Sequence, residues 1–558
     1  MKTVFSASLF TLVTSVIGGT NASLSDAAWA QSTPPAISEI EKEATLETVV
    51  APTIADILAK ESLSNIAKAI AAGDVTSEQM VEAYLERIKT IDQSGATLQS
   101  ILSLNPNAIK DARGADAAFA AGEALGPLHG VPILLKDNIE SADPVATTAG
   151  ALALKANITG RDAPLAAGLR EAGAIILGKT NLSQWANFRS SASISGWSAL
   201  GGQVRNPHML DRTPCGSSSG SGAATAAALA AGSVGTETNG SIICPSSMNG
   251  VVGFKPTVGL VSQTGIVPIS FTQDTAGPMT RSVRDAALML TAMADEDDTD
   301  FVAALSKDAL QGKRIGVLRF ASGPNAEVNA LFDQALTHLE EKGATLIDIE
   351  DANLPRDYWS GEGRVLETEF KHTINAYLAT TDRDQVTTRT LADLIRFNQE
   401  HADIELSLFD QDTFTESDAQ SGIDNAEYQA ALDKILRASR DDGIDKWLTD
   451  KNLDVLVAPS YTAAFLVDAV HGDNFNGGTG ASYIAAIAGY PHLTVPMGLV
   501  RGLPVGLSFM ASAGDDADVL AMGYAYEQTT KHIAAPAYLK TAEDLDHIAR
   551  AMRPYTPE

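Results

Sequence analysis

The chain has 558 residues, of which 45% are hydrophobic and 20% charged. That is ordinary globular usage with length enough for a large core, and it excludes a disordered or fibrous protein. Its 40 Lys and Arg stand against 69 Asp and Glu, a formal charge of −29 spread along the chain rather than gathered in a tail, so the surface repels phosphate backbones and argues against nucleic acid as a partner.

The first residues, MKTVFSASLFTLVTSVIGGTNASLSDAAWAQS, combine a basic Lys2, an apolar region from Val4 to about Ile17, and Ala28-Trp29-Ala30 ahead of Gln31. This is the pattern of a secretory signal with an A-x-A cleavage site, and its apolar part is short for a membrane span. Residues 1–30 are therefore set aside as a signal peptide. The mature chain is expected to be periplasmic or secreted, with no membrane anchor once the signal is removed. Residues 31–54 read as an N-terminal arm, 55–540 as a single large domain, and 541–558 as a C-terminal tail.

Two amphipathic helices are expected to open the domain. The second, in VTSEQMVEAYLERIKTI, begins at Thr76 with Gln79 three residues on, the spacing of a capping box, and Met80, Val81, Tyr84, Leu85 and Ile88 share one face. From about 100 to 300, short apolar runs alternate with Gly- and Ala-rich helical stretches. GVPILLKDN, GAIILGKTN and GVVGFKPT read as buried strands or strand ends, which predicts a mixed or parallel sheet with helices on both faces. KRIGVLRF, NAEVNALFDQALTHLEEKG and ATLIDIE form one βαβ unit, its helix closed by Gly343. Residues 355–450 are acidic, mostly helical and free of chemical motifs, and read as an insertion or cap. LDVLVAPS and PHLTVPMG…LPVGLSFM then return to strand character.

Three segments hold residues suited to chemistry. CGSSSGSG, Cys215 to Gly222, places four serines among three glycines just before the helix-forming AATAAALAA. It lacks the lysine of a phosphate-binding loop and the spacing of a dinucleotide fingerprint, and it sits too close to core-like segments to be a linker. GTETNGSIICP sets Ser241 after Gly240, where converging backbone N–H groups could hold an oxyanion or simply form a turn. Lys136 follows an apolar run in GVPILLKDN; it is either a strand-end lysine reaching solvent or a desolvated amine whose pKa falls toward neutrality. Cys215 and Cys244 flank the serine segments and are open to pairing or to burial as free thiols. Asp274, in QDTAGP, reads as a structural turn residue. No His, Cys or carboxylate cluster has metal-ligand spacing, so neither a metal nor another cofactor is implied.

Together these segments closely resemble the amidase signature family. The run CGSSSGSGAATAAALAAGSVGTETNGSIICPSSMNGVVGFKPT carries its signature, and GPLHGVPILLKDNI, TTAGA, GAIILGKTNLSQWAN, QDTAGPMTRSV and GYPHLTVPMG…GLPVGLSF match its other blocks in the same order, across roughly residues 55–535. The resemblance implies an α/β amidase signature fold, a large mixed twisted sheet covered by helices on both faces. It also implies a Ser-Ser-Lys triad with Ser241 as nucleophile, Ser217 as bridging serine and Lys136 as base, with N–H groups of Thr238, Asn239, Gly240 and Ser241 forming the oxyanion hole. A cis peptide bond is usual ahead of the bridging serine, and Ser218 can fix that serine by hydrogen bonds. The helix that follows should point its positive end at the site, favouring the neutral amine.

Two departures stand out: Asn239 where glycine is common, and Ile243 where arginine is common. The first bears on the width of the oxyanion loop and the second removes a charge behind the nucleophile. Within the family, LSQWANFRSSASISGWSALGGQVRNP and the ICP after Ser241 look most like bacterial peptide amidases, which release ammonia from C-terminally amidated peptides. Trp185, Asn187, Trp197 and Ser218 are candidates for substrate contact. The expected partner is thus a small-molecule or peptide amide, acted on by a monomer or homodimer. The competing readings are a broader amidase for aryl or fatty acyl amides, one component of a tRNA-linked transamidase, a cysteine hydrolase built on Cys215 or Cys244, and a non-catalytic binding protein.

Overall fold

The structure is a computed structural model that describes Ile54 and residues 62–294, 299–475 and 478–554. The signal segment and all but the last residue of the 31–54 arm lie outside the described residues, as do the last four residues of the tail.

Thirteen strands are present among the described residues: β1 (Ile101–Leu104), β2 (Pro132–Lys136), β3 (Ile175–Thr180), β4 (Trp197–Ser198), β5 (Gly202–Gln203), β6 (Gly232–Glu237), β7 (Val252–Lys255), β8 (Thr275–Thr280), β9 (Arg314–Leu318), β10 (Thr345–Ile349), β11 (Val455–Pro459), β12 (His492–Val500) and β13 (Leu503–Met510). Eleven make one sheet in the order β1-β3-β2-β6-β8-β7-β12-β13-β11-β9-β10, and β4 pairs with β5 alone. The β3-β2-β6 and β11-β9-β10 groups are parallel and the other pairings antiparallel, so the sheet is mixed. The expected βαβ unit is β9, the helix Ala326–Glu341, and β10.

Both faces are covered, as the period-two alternation of β12 shows. Leu493 packs against Gly523 on the helix Asp516–Thr530, where an added Cβ would fall 2.1 Å from its methyl group. On the opposite face the next residue, Thr494, is bonded to Ser460, and Ser247 of the helix Ile243–Asn249 accepts from the Gly506 N–H there. Continuous burial of β2 and β3 accounts for their apolar runs, and β6 is buried along its whole length as well. The helix Ser77–Arg87 begins with both bonds of the capping box, Gln79 N–H to Thr76 Oγ1 at 3.1 Å and Thr76 N–H to Gln79 Oε1 at 3.0 Å.

Between β10 and β11 the acidic region is helical as expected, with Tyr358–Thr380, Leu391–Glu400 and Ala426–Ser439 its longest helices. It docks through an apolar cluster in which its Phe370, Leu394 and Phe414 join Leu154, Trp185 and Ile269, and through the fully buried Arg189–Glu405 pair.

The helix Ser219–Ala226, which follows the serine loop, sits unusually close to the end of β3. The Gly220 N–H donates to the Asn181 carbonyl at 2.9 Å, and a Cβ at Gly220 would lie 2.3 Å from the carbonyl oxygens of both Ser100 and Asn181. Backbone atoms cannot yield as a side-chain end can, so Gly220→Ala is expected to destabilise the fold by about 1–3 kcal/mol in urea denaturation. An unchanged midpoint would show that the helix is free to move away.

Candidate active site

Strand β2 ends at Lys136 beside the parallel β6, whose Thr236 lies at the same end of the sheet, where open α/β sheets place their ligands. The lysine side chain is fully buried. Its Nζ meets three oxygens and no carboxylate: Ser217 Oγ at 2.8 Å, Thr236 Oγ1 at 2.8 Å and the Thr236 carbonyl at 3.2 Å. Asn138 Nδ2 holds Thr236 Oγ1 from the other side at 3.0 Å. Burial lowers the amine to about 7, and the nearby charges of Asp274 and Glu237 oppose the shift without cancelling it. A neutral amine has two N–H donors and one lone pair, which match two acceptors on Thr236 and the hydroxyl of Ser217.

Ser217 is also fully buried, and the peptide joining it to Gly216 is cis. Its carbonyl accepts from the Ser183 N–H at 3.0 Å. A side chain at Gly216 would strike Ser183, whose Oγ is 2.2 Å from the would-be Cβ. The other hydroxyls hold the loop: Ser219 Oγ donates to the Cys215 carbonyl at 2.6 Å, and Ser218 Oγ both donates to the Thr236 carbonyl at 3.0 Å and accepts its N–H at 3.1 Å. The loop is thus tied to the same threonine that holds Lys136.

Ser241 begins the approach to the helix Ile243–Asn249 and lies against the serine loop, with its carbonyl accepting the Ser218 N–H at 3.1 Å. Its hydroxyl bonds to no other described residue. Gly240 takes φ +82°, and a Cβ there would lie 2.2 Å from the Tyr461 hydroxyl oxygen, so the turn requires glycine twice over. Asn239 does not adopt positive φ; the glycine after it makes the turn. Glu237 Oε2 accepts the N–H groups of Ile242 and Ile243 at 2.7 and 3.0 Å, which supplies a negative group behind Ser241 near the position where the family's arginine is absent. Thr238 Oγ1 donates to Asp274 at 2.6 Å, and the other oxygen of that carboxylate takes the N–H groups of Ile269 and Ser270. Asp274 thereby braces the turn, and burial raises it to about 6.

A cavity of about 250 Å³ opens at Ser241. Its wall includes Asn187, Phe188, Asn239, Leu366, Tyr461 and Phe475, and among the described residues no charged side chain is part of it. Cys215 and Cys244 line it too, joined as a disulfide that ties the loop ahead of Ser217 to the helix after Ser241. Of the sequence candidates for substrate contact, Asn187 belongs to the wall. Trp197 does not: it packs on Phe409 with the Arg189 guanidinium over its ring. Trp185 is buried against Phe414, and Ser218 is spent on Thr236. Packing and backbone bonding account for all three.

The helical region supplies what the sequence reading missed. Glu362, on the helix Tyr358–Thr380, accepts Asn239 Nδ2 at 2.6 Å and Gln273 Nε2 at 3.3 Å, and Leu366, one turn on, reaches the cavity wall. Glu362 lies 123 positions from Asn239 with no motif around it, so only tertiary structure brings it to the site.

The sequence profile of the family described as Amidase matches residues 79–520. The chain belongs to the amidase signature family. Its hydrolase chemistry therefore acts on amide bonds, and the mixed sheet described above is the family's fold. The structure is similar to that of native peptide amidase from Stenotrophomonas maltophilia, with a TM-score of 0.80 and 45% identity, covering 86% of this chain and 99% of that one. An Arabidopsis thaliana protein named "Probable amidase" is 37% identical over 489 residues, covering 83% of this chain and 89% of its own length. A glutamyl-tRNA(Gln) amidotransferase component from Halorhodospira halophila is 33% identical over 500 residues, covering 84% of this chain and 97% of its own length.

The disulfide closes a loop with a sequence separation of 29, so replacing both cysteines (Cys215→Ser with Cys244→Ser) is expected to lower stability by about 2–4 kcal/mol, read as a denaturation midpoint. An equal midpoint would mean that the surrounding packing alone holds the two segments.

Proposed function

We propose that this amidase releases ammonia from C-terminally amidated peptides through an acyl-enzyme, with Ser241 as nucleophile, Ser217 as proton relay and Lys136 as base. The observation that carries the mechanism is the buried amine held on Ser217 and Thr236 with no carboxylate partner. Neutral Lys136 takes the Ser217 proton while Ser217 takes that of Ser241, and the freed Ser241 oxygen attacks the amide carbonyl. N–H groups of the Thr238–Ser241 turn receive the oxyanion. The protonated amine returns its proton through Ser217 to the leaving nitrogen, the C–N bond breaks, and ammonia departs. Water then enters by the same relay and frees the acid.

Support for a peptide substrate comes from the likeness to peptide amidase across nearly the whole of that chain and from an uncharged cavity that suits an amidated terminus better than a free carboxylate. Two features support export: the signal-like N-terminus and a disulfide of the kind that persists in oxidising compartments. The acidic charge opposes a tRNA-linked role.

Purified protein is expected to release ammonia from an amidated dipeptide, and Ser241→Ala to lower that rate by about 1000-fold or more. Turnover of an aryl acylamide alone would move the function to a broader amidase, and an unimpaired Ser241→Ala would remove the nucleophile. Since the base form of Lys136 fills as pH rises through about 7, kcat/KM should climb across that range and fall below it; a maximum well under pH 6 would contradict a neutral lysine. N-terminal sequencing of the exported protein should begin at Gln31, and retention of Met1 would rule out processing.

A further inference from the structure

Asn239, which stands where glycine is common in the family, is part of the cavity wall at Ser241. An asparagine amide has a donor end and an acceptor end, and what binds one end decides what the other presents. Here the donor end is committed. Nδ2 gives one of its two hydrogens to Glu362 Oε1 at 2.6 Å, and the same oxygen accepts from Gln273, so the acceptor set favours the amide nitrogen on this side. Gln273 in turn donates to the Thr238 carbonyl at 3.2 Å, so turn and carboxylate are fixed to each other. Asn239 Oδ1 bonds to no described residue, and Asn239 stands in the cavity wall, one residue from the glycine turn and two from Ser241.

The main-chain groups proposed to meet the reacting carbonyl at this turn are all donors. An acceptor beside them complements the part of a primary amide that an ester lacks, the N–H of the leaving group. We propose that Asn239, held in orientation by Glu362, is a specificity-determining residue whose Oδ1 accepts a hydrogen bond from the leaving nitrogen of the substrate, so that the site favours primary amides over esters of the same acyl group. The proposal rests on the reading of Ser241 as nucleophile. Glu362 acts as a positioning residue through Asn239. As the C–N bond breaks, the nitrogen gains a proton and becomes a stronger donor, so the contact strengthens in the transition state rather than in binding alone.

The test compares kcat/KM for an amidated dipeptide and for the methyl ester of the same dipeptide. Both give the same acyl-enzyme, so the ratio of the two isolates the leaving group. In Asn239→Ala the amide-to-ester ratio should fall about tenfold relative to the parent chain, the scale of one hydrogen bond in a desolvated site. In Glu362→Gln, which lets the asparagine amide turn over while keeping the packing, it should fall by at least about threefold. The fall should appear mainly in kcat for the amide, and thermal denaturation of each variant checks that it is folded. A ratio held within about twofold in folded Asn239→Ala, with both rates reduced together, would overturn the proposal and leave Asn239 as a brace of the turn. Ser241→Ala, run alongside, separates the two failures: if it turns over both substrates normally, the nucleophile reading has failed.

Discussion

The site depends on an amine that has been taken out of water without being given a counter-ion. Burying a charged ammonium is costly unless it is paired, and the usual escape is loss of the proton. Burial draws Lys136 toward that escape, down to about 7, and its hydrogen-bond partners are neutral oxygens, two of them on Thr236. Had a carboxylate stood at Ser217's distance, the lysine would be a spectator ion pair. Asp274 and Glu237 come near enough to temper the shift, yet each is committed elsewhere, to the N–H groups of Ile269 and Ser270 and of Ile242 and Ile243. The same carboxylates that could have neutralised the base instead fix the backbone around the proposed nucleophile.

Thr236 is the point where these demands meet. Its hydroxyl and carbonyl hold the lysine, while its N–H and carbonyl hold Ser218. Strand β6 therefore sets the distance between the end of β2 and the serine loop, and the close seat of Gly220 on Asn181 sets the height of that loop above the sheet. Where serines and glycines are most abundant, the loop is bonded to its surroundings. The glycines serve close approach, and the hydroxyls of Ser218 and Ser219 act as internal bonds.

Local rules go some way into this fold. The capping box at Thr76, the βαβ unit from β9 to β10 and the buried strands β2, β3 and β7 follow from periodicity and turn chemistry, because each is decided by residues close in sequence. The meeting of Lys136 with Ser217, 81 positions apart, is legible only through likeness to a family. Residues alone leave that lysine open between solvent and core. The tryptophans show the reverse problem: Trp185 and Trp197 stand in a segment that does reach the cavity, through Asn187 and Phe188, but indole rings fill gaps in packing as readily as they meet ligands. Glu362 and Leu366 had no local signal because the helix that carries them reads as an ordinary acidic surface helix until its docking face is known. The cysteines needed geometry, and the fold supplies it by setting their Cα atoms 5.8 Å apart.

The uncharged wall of the cavity has a consequence for the end of the reaction. Amide hydrolysis turns a neutral amide group into an acid that ionises at neutral pH, and the carboxylate would form in a chamber whose described wall offers no cation, inside a molecule of net charge −29. The field that surrounds the site works against the product it has just made while drawing ammonium outward. The same charge distribution that leaves a neutral amide group undisturbed on entry thus works against retention of the carboxylate formed from it.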